Sequence, residues 1–182
     1  MYNTMKKILI IILTLSSTLS YSQNKLENQI FKKIIDFQIE IGNKGIYIQC
    51  EKLKTFFNFK KINEETGLKV SLNILKELDQ NAKKSNDGIW ESKLLTELNY
   101  SIDFLKSKKC LTKKDIKQLF KKTKKRQSII SISKPVFDHN YKNCIVSISY
   151  SKFTGNFYGH SYFLSKVYGI WTIVAVFETW MT

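Results

Sequence analysis

Apolar residues recur along this chain in two rhythms, and the change from one to the other falls near residue 128. Before it the spacing is helical. Leu26, Ile30, Phe31, Ile34 and Ile35, with Lys and Glu between them, predict an amphipathic helix over residues 25–40. Gly42 to Gly45 breaks that pattern and Ile46-Tyr47-Ile48 begins a strand. Phe56, Phe57 and Phe59 predict a second strand, and Glu64 to Gly67 a loop. Ser71 stands as the cap of a helix carrying Leu72, Leu75, Leu78 and Ala82, with Val70 placed to staple onto Leu75. Asn86-Asp87-Gly88 closes that unit. Trp90, Leu94, Leu95, Leu98, Ile102 and Leu105 fit a further helix, interrupted by Asn99-Tyr100-Ser101. Thr112 and Asp115 form a T-x-x-D capping pattern ahead of Ile116, Leu119 and Phe120.

After Ser128 the period is two. Ser128 to Ser133 is one strand, ending at Pro135, and Cys144 to Tyr150 is the next. Thr154-Gly155-Asn156 turns it into Phe157 to Val167, and Tyr168-Gly169 makes a tight turn into Ile170 to Trp180. On the last strand Ile170, Thr172, Val174 and Val176 alternate with Trp171, Ile173, Ala175 and Phe177. Both sets are apolar, so this part of the sheet is expected to be covered twice. The fold class that follows is a single α+β domain over residues 23–182, with N-terminal helices packed on a C-terminal antiparallel β-meander.

The residues ahead of that domain read as a signal peptide over 1–22. Lys6 and Lys7 supply its positive start and Ile8 to Leu15 its apolar run; Ser20 and Ser22 supply the small residues of a cleavage site. Eight apolar residues are too few for a spanning helix, which needs about 20. The expected location is therefore the periplasm or the outside of the cell, with no transmembrane segment in the mature chain.

Charge narrows the partners. The formal net charge is +15, and the 30 basic residues include a single arginine, Arg126. Proteins that read nucleic acids lean on arginine's planar fork, so lysine-dominated charge argues against a nucleic-acid partner. Attraction to anionic envelope polymers or lipid headgroups needs only positive potential and is retained. The densest cluster is Lys121, Lys122, Lys124, Lys125 and Arg126, an electrostatic contact candidate whose ordinary reading is a solvated helix end. Cys50, Cys110 and Cys144 allow at most one internal disulfide. Strand parity turns Cys50 and Cys144 inward, as buried thiols or as partners, while Cys110 falls in a polar connection. No C-x-x-C is present and no histidine lies near these cysteines, so no metal or other cofactor is expected.

Signatures of catalysis are missing: there is no G-x-S-x-G elbow, Gly-rich phosphate loop or H-E-x-x-H. Asp138-His139 sits in a polar turn, where neighbouring side chains seldom meet. Tyr158, His160 and Tyr162 share one face of a strand, and Tyr150 extends it from the strand before, which makes these four the candidate ligand-binding residues. Ser133-Lys134-Pro135-Val136-Phe137, the Cys144 strand and Gly169-Ile170-Trp171 resemble the C-terminal meander of small exported bacterial proteins. Helices followed by a curved antiparallel sheet are similar to the NTF2-like (cystatin-like) architecture, which hosts enzymes and binders alike and implies no catalytic residue. The expectation is an exported binding or interaction domain. The alternatives are a secreted or periplasmic hydrolase using His139 or His160 as general base, and an immunity-type protein that neutralises a toxin.

Overall fold

A computed structural model of the chain describes residues 24–85, 88–98, 100–101, 103–152 and 157–181. The signal-peptide reading, the Asn86-Asp87 stop, Ile102 and the Thr154-Gly155-Asn156 turn lie outside the described residues. Helix α1 spans residues 24–40. It is followed by β1 (Ile46–Ile48), α2 (Phe59–Thr66), α3 (Leu72–Lys83), α4 (Ser92–Leu98) and α5 (Lys113–Thr123). The remaining strands are β2 (Ser128–Ile132), β3 (Val136–Phe137), β4 (Asn143–Lys152), β5 (Phe157–Val167) and β6 (Ile170–Met181). The fold is α+β, with helices in the N-terminal half and most strands in the C-terminal half. Its open sheet of six strands runs β1-β2-β4-β5-β6, with β3 paired to β4 off this path.

The meander β4-β5-β6 is antiparallel, as the period-two pattern requires, and Tyr168 and Gly169 turn β5 into β6 with φ of 48° and 82°. Two positive values are what a two-residue hairpin of matching twist needs, and glycine takes the second without a side-chain clash. β1, however, joins parallel to β2, with Ile46 opposite Ser128, so the sheet is mixed.

Helices cover both faces of the central strands. Ile170, Thr172, Val174 and Val176 of β6 are exposed, however, so the expected double cover does not reach that strand. On one face, α1 lays Ile30, Phe31, Ile34 and Ile35, all fully buried, against Ile130, Ile132, Val146, Ile148 and Leu164. Each such side chain contributes about 1.5–3 kcal/mol on burial. On the other, Ile62 of α2 and Leu75, Leu78 and Ala82 of α3 pack on Val136, Ile145, Phe163 and Phe177. The buried carboxylate of Glu27 ties the start of α1 to Lys52 and Lys134 at 3.2 and 3.5 Å. Gly42, at φ 83°, ends α1 in a Schellman turn: its N–H reaches the Ile39 carbonyl at 2.9 Å and that of Asn43 the Gln38 carbonyl at 3.1 Å.

Several expected elements are corrected. Phe56, Phe57 and Phe59 do not make a strand; the chain runs irregularly to Asn58 and α2 starts at Phe59, taking in Glu64 and Glu65. The reason is a row of small side chains. Ser133, Ser147 and Ser161 are fully buried on the α2/α3 face and bring the 55–57 backbone down onto the sheet. The hydroxyl of Ser161 donates to the Phe56 carbonyl at 3.0 Å, and the Phe56 N–H donates to Ser147 Oγ at 2.9 Å.

The helix drawn over Trp90 to Leu105 is cut to Ser92–Leu98, because the following residues run along β1 instead. Ile46 pairs with Leu105 and Gln49 with Leu111 through isolated bridges. That path also closes the disulfide. Cys50 bonds Cys110, with Cα atoms 4.9 Å apart, while Cys144 remains a buried thiol whose pKa burial pushes well up. Cys110 is thus buried although the polar connection that carries it, at Lys108 and Lys109, is exposed. Ser71 occupies the N-cap of α3 without a side-chain cap bond, whereas Thr112 and Asp115 form the full capping box of α5. Finally, β6 does not alternate strictly. Ile173 pairs with Leu164 and Ala175 with Phe163, so a bulge at Val174 moves Ala175 and Phe177 to the α2/α3 face and places Val176 beside Tyr162.

Candidate functional site

α1 covers its face of the sheet only as far as its C-terminal turn, and a cluster of polar aromatic side chains occupies the ground just beyond. β4 and β5 align Tyr150 with Tyr158 and Ile148 with His160, so Tyr150, Tyr158, His160 and Tyr162 stand together on that face. The structure therefore brings together all four residues that strand parity singled out.

Gln38, from the last turn of α1, organises them. Its Nε2 donates to the Tyr162 hydroxyl at 3.1 Å, and its Oε1 accepts from the Tyr150 hydroxyl at 2.5 Å and from Asn43 Nδ2 at 2.8 Å. The Tyr162 hydroxyl also hydrogen-bonds His160 Nε2, 2.5 Å away. Burial lowers the His160 pKa to about 4, so the ring is neutral near pH 7. Burial also raises the pKa of Tyr150 and Tyr162, so both remain phenols.

Tyr158 is the outermost member. Its ring stacks on Tyr150 with centroids 4.6 Å apart and planes 11° apart, and it remains 41% exposed where Tyr150 is buried. Beside the pair opens a cleft of about 620 Å³, lined also by Asn43 and Lys44 after α1, Arg126 and Ser128 at the entry to β2, and Ser151 and Lys152 at the end of β4.

Arg126 links the two surfaces proposed from sequence. Lys124 takes a left-handed conformation (φ 55°) and its N–H closes onto the Phe120 carbonyl, which turns the chain out of α5 and into β2. Arg126 thereby lines the tyrosine cleft, while Lys121, Lys122, Lys124 and Lys125 are solvated at the helix end. Sequence reasoning missed Gln38, Asn43, Lys44 and Lys152. Gln38 carried a readable signal, being a polar residue on the stripe of Ile30, Ile34 and Ile35. The others are loop or strand-end residues among many similar ones.

The second histidine is elsewhere. Asp138 does not orient it; that buried carboxylate accepts from the N–H groups of Lys142 and Asn143 and from Asn143 Nδ2, shaping its own turn. His139 instead meets Glu77 of α3, through its backbone N–H at 2.7 Å and its ring Nδ1 at 2.8 Å. This hydrogen bond raises its pKa. The pair borders a smaller cleft of about 430 Å³ and fastens α3 to the turn between β3 and β4. Among the described residues no group of three or more His, Cys, Asp or Glu is placed to hold a metal ion.

No family model matches the chain, and neither a curated protein nor a solved structure matches it significantly. The geometry of the cleft therefore carries the functional reading.

Proposed function

We propose that this chain is an exported binding domain that acts without catalysis and holds its ligand in the cleft beside Tyr158. One observation carries the reading: an exposed ring is stacked on a buried one, and the buried ring's hydroxyl is fixed through Gln38 to Tyr162. A platform held in this way loses little conformational freedom when a ligand settles on it. His160 supports binding over proton transfer, since a pKa lowered to about 4 makes it a weak base and its Nε2 is engaged with Tyr162. Two observations support export: the leader pattern of residues 6–22 and the disulfide between Cys50 and Cys110, a bond that persists in oxidising compartments. The NTF2-like resemblance belongs to the same proposal, supported by a helix laid across one face of an antiparallel meander.

The test uses Tyr158→Ala, which removes an exposed ring and leaves Gln38, Tyr150 and Tyr162 in place. Photo-crosslinking from Ser128 in the native envelope should recover a ligand with the wild-type chain and lose it with the variant. Identical recovery from both would overturn the assignment.

A further inference from the structure

We propose that the cleft takes an acidic sugar unit of an anionic polysaccharide, its ring face on Tyr158 and its carboxylate against Arg126. This rests on the binding reading above and names the ligand class.

The charge balance of the cleft points to an anion. Lys44, Arg126 and Lys152 reach it from three separate segments, and among the described residues no Asp or Glu lines it. Lysine abundance alone does not explain this, because two other clefts, of about 430 and 820 Å³, carry their own carboxylates. The one beside His139 contains Glu77 and Asp138, and the one beside Trp90 contains Glu27, Glu91 and Glu97. In those places basic side chains are balanced by the protein itself. Here the described lining supplies no balancing charge, and the planar fork of Arg126 suits a carboxylate, which it can hold through two parallel hydrogen bonds.

The rest of the lining selects a sugar. Tyr158 offers a flat, weakly polar face, the kind of surface that receives the C–H face of a pyranose ring, and it is held flat by Tyr150. The Ser128 hydroxyl and the Asn43 side-chain oxygen add neutral hydrogen-bonding groups around it, which hydroxyl-rich rings use. A volume of about 620 Å³ admits a short run of such units. A nucleic-acid strand would call for more than one arginine.

The experiment is isothermal titration of the purified chain with tetragalacturonate and with its fully methyl-esterified form, which keeps the rings and removes the charge. Binding of the acid is expected, weakening as salt rises, with the ester at least about tenfold weaker. Arg126→Gln and Tyr158→Ala should each weaken binding of the acid by about tenfold or more, with unchanged unfolding curves. Absence of binding, equal binding of acid and ester, or indifference to Arg126→Gln would overturn the proposal. So would binding of single-stranded DNA or phosphatidylglycerol vesicles in place of the acid. Recovery by crosslinking of a Tyr158-dependent ligand of different chemistry would leave the binding reading standing and remove this one.

Discussion

The two faces of the sheet bury polar side chains in opposite ways. On the α2/α3 face Ser133, Ser147, Ser161 and Thr55 spend their hydroxyls on one another and on the backbone of Phe56 and Lys134. Every partner is supplied by the chain, so this network is a fastening and ends where it begins. On the α1 face Gln38, Tyr150, Tyr162 and His160 form an equally specific network that runs outward, through the stacked Tyr158, to a cleft with three cations. Buried polarity that closes on itself holds a fold together, whereas buried polarity that ends at solvent prepares a surface. That difference, more than any single residue, marks the cleft as the place to look for a ligand.

The comparison can be broken most forcefully on the closed face. Phe163 is fully buried between α2, α3 and the sheet, and Phe163→Ala should cost about 3–5 kcal/mol through lost transfer energy and the cavity left behind. Denaturant unfolding would report it as a lowered midpoint. The folded fraction should keep the ligand affinity of the parent chain, because neither Phe163 nor the residues packed around it line the cleft. A large change in affinity would mean that the two faces are coupled.

A smaller stability effect with a larger functional one is expected at Gln38. Gln38→Ala strips the buried hydroxyls of Tyr150 and Tyr162 of a shared partner, a loss of about 2–3 kcal/mol. It also frees the stacked pair, so cleft binding should fall by more than the change in folded population explains. Equal losses in stability and binding would reduce the network to a fastening like its counterpart.

The finest distinction is one of pH. His160 has its pKa lowered to about 4, against an ordinary 6.5, so between those values the unfolded chain takes up a proton that the folded chain refuses. Stability should therefore fall as pH drops from about 6.5 to about 4, by roughly 2 kcal/mol once its partial exposure is allowed for. His160→Gln should flatten that slope. His139 has the opposite sign: its pKa is raised by Glu77, so its contribution is present at low pH and is lost as pH rises through its folded value. Urea unfolding across this range, with each histidine replaced in turn, separates the two. A slope unchanged by His160→Gln would place the ring in solvent.

The same division separates what could be read early from what could not. Ile30, Ile34 and Ile35 announced α1, and Thr112 with Asp115 announced α5, since a helix start and a buried stripe are written within a few residues. The meander and its tyrosine face were equally legible, because strand parity is a local property. Phe56 and Phe57 misled because the backbone there is claimed by serines about 90 and 105 residues away in sequence. Trp90 to Leu105 misled because its second half has a better partner in β1 than in a further helical turn.

By itself the sequence determined the periodic elements, the α+β class and the grouping of Tyr150, Tyr158, His160 and Tyr162, all of which follow from spacing within a segment or across one hairpin. Only the tertiary structure decided that β1 lies parallel to β2, that Cys50 takes Cys110 in place of Cys144, and that Val174 bulges out of β6. It alone brought Gln38, Lys44, Arg126 and Lys152 to one cleft. Such pairings depend on loop closure and on competition among distant segments for the same edge or cavity, and no local pattern encodes the winner.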